Sequence, residues 1–216
     1  MHKISKGEAP DFYIDFLKKH RPDSWNDVSP VKPDLTRHLW VIQGRMCAYT
    51  ELRLPNPDKN SVHIDHYVKQ SLNPNLIFSY DNIFVAWRKT NKRADPYGAC
   101  YKDSNMTEAD YNKNTGDYTL LLKPDRDNPE DFLDIDLMTG EYISLDEEKG
   151  DKSRGRATIR LFNLNEDSLV RHRYQVMTMV AQNYAPMYAN GILSEDVILE
   201  SVGEFPTAIR KVLTNI

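Results

Sequence analysis

Asp65 and His66 are adjacent, Asn82 follows sixteen residues after His66, and Asn91 follows nine residues later. A carboxylate, an imidazole and two amides in this order could hydrolyse a phosphodiester. Imidazole titrates near neutrality, so His66 could take the proton of an attacking water. The Asp65 carboxylate and the Asn91 carbonyl are hard oxygen donors, suited to Mg²⁺ or Mn²⁺ rather than to a thiophilic metal. Such a cation would neutralise the phosphate and the leaving oxygen. Surface Asp-His pairs are common, so the dyad alone does not separate a site from a solvated strand.

The dyad lies in VHIDHYVKQS, residues 62–71, which alternates like a strand. Strand neighbours point to opposite faces. Asp65 and His66 can therefore converge on one phosphate only if the strand ends there in a turn. His63 shares the face of Asp65; it reads as a structural strand histidine ahead of a second metal ligand or a phosphate contact. Tyr80-Asp81-Asn82 is also an ordinary turn composition.

The net charge of −4 excludes a uniform basic coat. Residues 63–102 nevertheless carry six basic side chains against three acidic ones, whereas residues 108–151 are acidic. A local basic patch is what phosphate contact needs, and Lys69, Arg88, Lys92 and Arg93 are its candidates. The alternative is a solvated polar face. Cys47 and Cys100 are too few for a disulfide framework or a four-cysteine zinc site. No apolar run approaches a membrane span, and the first residues lack the apolar core of a signal peptide. A cytoplasmic protein without membrane contact is expected.

The patterning that must position these residues is α+β, mostly helical, with a small β-rich insert. It predicts helices over 10–20, opened by Pro10, and over 35–46, capped by Asp34. An apolar run covers 83–87, and the polar segment 88–96 could begin as a helical turn or two. A strand is predicted over 118–122, a hairpin joins 132–137 to 141–145, and a long helix runs from 166 to about 188 behind Asn165. Shorter helices start at Ser194 and Pro206.

Several segments carry a wider likeness: MHKISKGEAPDFYIDF at the start, Gln43 to Glu51, IDHY, YDNIF, LLLKPDRDNPEDFL, and GRATIRLFNLNEDSLVRHR. With the D-H…N…N order, they resemble the bacterial HNH endonucleases that serve as nuclease subunits of Septu-type and retron-associated anti-phage systems. The resemblance covers most of the chain. It implies a central ββα-metal core over 47–105, preceded by a helical segment over 1–46 and followed by a mixed region over 106–216. It implies catalysis by His66, Asp65, Asn82 and Asn91, with Asp65 and Asn91 on Mg²⁺ or Mn²⁺ and Asn82 bracing the dyad loop. The substrate would be DNA, with RNA the alternative, and an ATPase subunit encoded nearby would be the partner. The family's zinc-binding cysteine pairs fall on Cys47 and Thr50 and on Trp87 and Thr90, so no structural zinc is expected and Trp87 is expected to fill its space. The family's proline after the dyad is Lys69, and a family lysine is Ala94. Loss of the zinc ligands keeps a second reading open: a catalytically inactive nucleic-acid-binding or assembly subunit of the same fold.

Overall fold

Pro10 precedes α1 (Asp11–His20), which buries Tyr13 and Phe16 and ends where Arg21 turns left-handed. A 3₁₀ turn, Trp25–Val28, leads to α2 (Lys32–Ile42). This helix starts earlier than the expected residue 35, because Pro33 suits a first turn, and Asp34 lies within that turn rather than at the cap. It stops at Ile42 rather than 46 because Gly44 and Arg45 both adopt φ near +63°, a conformation that no right-handed helix continues through. A computed structural model of the chain describes residues 1–57, 61–88, 95–146 and 153–216.

β1 (Val62–His66) and β2 (Ile83–Trp87) pair antiparallel, with Asp65 opposite Phe84 and His66 opposite Ile83. β1 therefore ends at the dyad. α3 (Gly98–Asn105) follows and packs on β2. Two further hairpins join β3 (Tyr111–Asn112) to β4 (Asp117–Tyr118), and β5 (Leu133–Ile135) to β6 (Tyr142–Ser144). Of the strand expected over 118–122, Tyr118 pairs with Tyr111 and the Thr119 amide donates to the Asp110 carbonyl at 3.0 Å, after which the pairing ends. Beyond it Leu121 and Leu122 sink into the core, and the Leu122 amide donates to Thr158 Oγ1 at 3.0 Å instead of to a strand.

α4 (Arg154–Phe162) is capped by Ser153, whose side chain accepts from the Arg156 amide. α5 (Asp167–Asn183) is capped by the Glu166 carboxylate, not by Asn165. Asn165 instead exchanges hydrogen bonds with the Tyr142 backbone at 2.8 and 2.9 Å, fastening β6. The helix stops short of 188 because Pro186 lacks an amide hydrogen; Tyr184 interrupts it and α6 (Ala185–Ala189) restarts. α7 (Glu195–Val202) and α8 (Pro206–Leu213) complete the chain. Among the described residues the fold is thus α+β, with eight α-helices and three two-stranded antiparallel sheets. None of these helices is long and apolar enough to cross a membrane.

One core runs from Met1 to Leu213, and buried charged groups stitch it, Glu51 and Arg173 among them. Glu51, at φ +61°, accepts from Thr207 Oγ1 at 2.5 Å and meets the Met1 amine at 3.1 Å. Burial alone would raise its carboxyl, but the amine, His2 and Thr207 together hold it well below the usual range. Arg173, fully buried, donates to the carbonyls of Gly140 and Leu164 at 2.5 and 2.7 Å. Its guanidinium also lies 4.4 Å from the Tyr142 ring centroid.

Candidate active site

The end of β1 is shaped by Asn82. Its carbonyl oxygen accepts from the Tyr67 amide at 2.8 Å, and its side-chain Oδ1 accepts from the Val68 amide at 2.8 Å. Its Nδ2 donates to Val68 O at 3.0 Å and Leu76 O at 3.2 Å. The whole amide is spent on the loop that follows the dyad, at 3 % exposure. Lys6 holds the other side of this turn, donating to the carbonyls of Tyr80 and Ile83. Burial pushes the Lys6 ammonium down to about 7, against the pull of Asp125.

His66 Nε2 lies 2.9 Å from the Ile77 carbonyl. A carbonyl only accepts, so Nε2 carries the hydrogen and Nδ1 keeps its lone pair. Nδ1 accepts from Gln70 Nε2 at 3.1 Å. Trp25 meets the imidazole edge-on at 4.5 Å and fixes the ring plane. Burial lowers the imidazole's affinity for a proton; the Ile77 carbonyl and Asp65 oppose that, and Lys102 and Lys32 reinforce it. The net direction is downward, which keeps His66 neutral at neutral pH.

Asp65 is tied from beneath. Its Oδ2 accepts from the Tyr49 hydroxyl at 2.5 Å and from Lys102 Nζ at 3.0 Å. Lys102, fully buried on α3, also donates to the carbonyls of His66 at 3.0 Å and Tyr67 at 2.9 Å. Burial would strip its proton, but Asp65 and Asp103 hold the ammonium above its ordinary value. The Tyr49 phenol is pushed up by burial and then by Asp65. Asp65 is therefore a neutralised carboxylate with one oxygen committed to two donors.

Asp65, His66, Lys69, Gln70, Arg88 and Asp103 open on one cleft of about 660 Å³, shared with His63 and Cys100. Lys69 donates to the Met106 carbonyl at 3.1 Å, which holds its side chain across the cleft toward the end of α3. The Cys100 thiol is pushed up to about 12, by burial and then by Asp95, so it stays protonated. His63 faces Ala86 in the strand register, and its Nδ1 is buried without a hydrogen-bond partner among the described residues.

The structure thus brings Asp65, His66, Lys69 and Arg88 together, and places Asn82 behind them rather than on the cleft. Asn91, Lys92 and Arg93 lie outside the described residues, as do Thr90 and Ala94. Cys47 and Thr50 are buried, and Trp87 stacks on Tyr97 with centroids 5.3 Å apart. Among the described residues no three His, Cys, Asp or Glu side chains gather to hold a metal. With Asp65 Oδ2 already engaged, the described donors do not complete the expected Mg²⁺ or Mn²⁺ centre.

Sequence reasoning missed Tyr49, Lys102, Trp25, Gln70 and Asp103. Gln70 had a signal, since it lies four residues beyond His66 in the same quoted stretch. Lys102, Trp25 and Tyr49 had none, because their approach to the dyad is set by tertiary packing. No protein-family model matches the chain, and no curated protein matches it.

Proposed function

We propose that the protein is an HNH-type endonuclease that hydrolyses phosphodiester bonds in DNA at the cleft between β1 and α3. The supporting observation is the state of His66. Its Nε2–H is tied to the Ile77 carbonyl, so the unprotonated Nδ1 belongs to a cleft that also holds Lys69 and Arg88. A water that displaces the Gln70 amide would hydrogen-bond to Nδ1. Its proton passes to Nδ1 as its oxygen bonds to phosphorus. The bond from phosphorus to the leaving oxygen breaks, and solvent protonates that oxygen. Lys69 and Arg88 would neutralise and orient the phosphate. When bound, a Mg²⁺ or Mn²⁺ ion would supply the remaining charge neutralisation. The ATPase partner and the role in anti-phage defence belong to the same proposal and rest on the resemblance.

One observation favours a second reading. Lys102 already neutralises the buried Asp65, as would suit an assembly or binding subunit that keeps the fold without catalysis. Nicking of supercoiled plasmid in Mg²⁺ or Mn²⁺ separates the two. The nuclease reading expects wild-type cleavage that His66→Ala abolishes. Undiminished cleavage by that variant removes His66 from the mechanism. Absence of cleavage, with and without an ATPase partner, selects the assembly reading.

A further inference from the structure

The C-terminal half of α2, the turn after it and the segment from Arg53 to Pro57 enclose a pocket of about 450 Å³ that shares no lining residue with the cleft. Arg37, Trp40, Arg45 and Arg53 line it, and none of the described lining residues is acidic. Arg37 has an interaction of its own. Arg45 and Arg53 are exposed, and among the described residues neither guanidinium pairs with a carboxylate. Glu204 touches Arg53 through the backbone amide, at 3.3 Å, and its other oxygen lies 2.9 Å from His172 Nε2.

The two arginines are held beside each other. Met46 and Arg53 form an antiparallel bridge, and the Leu54 amide donates to the Arg45 carbonyl at 2.8 Å. The Arg45 amide donates to the Trp40 carbonyl at 2.8 Å, and the Arg45 guanidinium carbon lies 5.2 Å from the Trp40 ring centroid. The indole N–H donates to the Leu54 carbonyl at 3.3 Å, which fixes the ring. A guanidinium laid on an aromatic face keeps its N–H edge for an acceptor, and its planar fork matches phosphate oxygens. Arg53 lies against Gly203, where a Cβ would stand 2.9 Å from Arg53 Nη1. The pocket also lies close to the cleft along the chain. Pro57 comes four residues before Ser61, whose carbonyl accepts from the amide of Arg88, on the cleft wall, at 2.9 Å. Four residues span at most ~14 Å, and a DNA strand carries a phosphate about every 3.4 Å, so about four phosphates cover that step.

We propose that Arg45 and Arg53, backed by Trp40, form a second phosphate-binding subsite that grips a DNA strand a few nucleotides from the bond held in the cleft. This subsite rests on the reading of the cleft as a DNA site and extends its footprint to residues outside it. Guanidinium contacts to phosphate carry no base information. The subsite therefore sets affinity and position along the strand, not sequence preference.

Fluorescence anisotropy with a short labelled DNA duplex in EDTA, over a series of salt concentrations, measures binding without cleavage. Arg45→Gln and Arg53→Gln should each weaken binding several-fold and lower the slope of log affinity against log salt by about 0.9, with the melting temperature unchanged. Arg210→Gln, which removes the same charge from α8 outside the pocket, should bind as wild type does. The subsite is overturned if wild type does not bind DNA, if both pocket variants keep the wild-type slope, or if Arg210→Gln lowers the slope equally. Calorimetry with ATP is the second arm. ATP binding that both pocket variants abolish, beside DNA binding that they leave unchanged, would assign the pocket to a free nucleotide and also overturn the proposal. The nuclease reading fails separately. Plasmid that is never nicked, with DNA binding that still depends on Arg45 and Arg53, leaves the subsite standing; nicking and binding indifferent to both arginines remove the subsite alone.

Discussion

Lys102 and Asp65 meet at 3.0 Å beneath the end of β1, and both side chains are almost wholly withdrawn from water. The pair joins two elements that line the cleft, the dyad strand and α3. Its ammonium is further committed to the backbone carbonyls of His66 and Tyr67. Breaking a buried pair by removing one partner leaves the other charge stranded, at a cost of about 3–5 kcal/mol. Lys102→Met is therefore expected to destabilise the fold by about that amount in urea denaturation. A loss under about 1 kcal/mol would show that the pair is not holding α3 to β1.

The His66 hydrogen bonds fix a tautomer. Nitrogen-15 imidazole shifts should report hydrogen on Nε2 at neutral pH, and protonation should occur below the ordinary histidine range, because burial outweighs the Ile77 carbonyl and Asp65. If His66 is the base, the nicking rate should rise with pH through that lowered value and stay level through neutrality. His66→Ala should lower the rate by roughly 10²–10⁴-fold. A rate that keeps climbing in proportion to hydroxide above pH 7 would point away from His66.

Asn82→Ala would leave the buried Val68 amide without its acceptor and the Val68 carbonyl without its donor, while the Leu76 carbonyl keeps the Ser79 amide. Each stranded group costs about 1–3 kcal/mol. Hydrogen exchange at the Val68 amide should accelerate in this variant well before global unfolding. Unchanged protection there would mean that the loop is held by other contacts.

Glu51 sets an acid limit. Its carboxyl is depressed in the fold by the Met1 amine, His2 and Thr207, although burial pulls it upward. A depressed acid stabilises the fold fully above its unfolded pKa of about 4.3, and loses that contribution as pH falls toward the folded value. Glu51→Gln should therefore lower stability at pH 7 and flatten the stability profile below pH ~4. Equal acid profiles for wild type and variant would remove Glu51 from the cause of acid unfolding.

Much of the frame was legible from local pattern. Pro10, the alternation around Asp65 and the Met138-Thr139-Gly140 turn place α1, β1 and the β5–β6 hairpin close to where the structure has them. The errors fall at ends, where one residue's geometry outweighs periodicity: Arg45 at positive φ stops α2, and Pro186 stops α5. The Asp65–His66 grouping with Lys69 and Arg88 was readable because these residues flank two paired strands. Lys102 was not, because a lysine in a polar helix looks solvated until its partner, 37 residues away, is known. The surroundings of the His63 nitrogen, which meets no hydrogen-bond partner among the described residues, were equally hidden, since alternation says which face a side chain takes but not what waits there.

Lys6 reaches across more than seventy residues to hold the turn under Asn82, and Trp25 supplies the wall of His66. Tyr49 precedes a glutamate that is gripped by Thr207 of α8. The residues around the dyad are thus fastened by both ends of the chain, so this strand–strand–helix unit is not an autonomous folding module. A fragment limited to 47–105 should remain unfolded by circular dichroism. In the full chain, such distant closures come late in folding, and the dyad would be among the last parts to acquire its geometry.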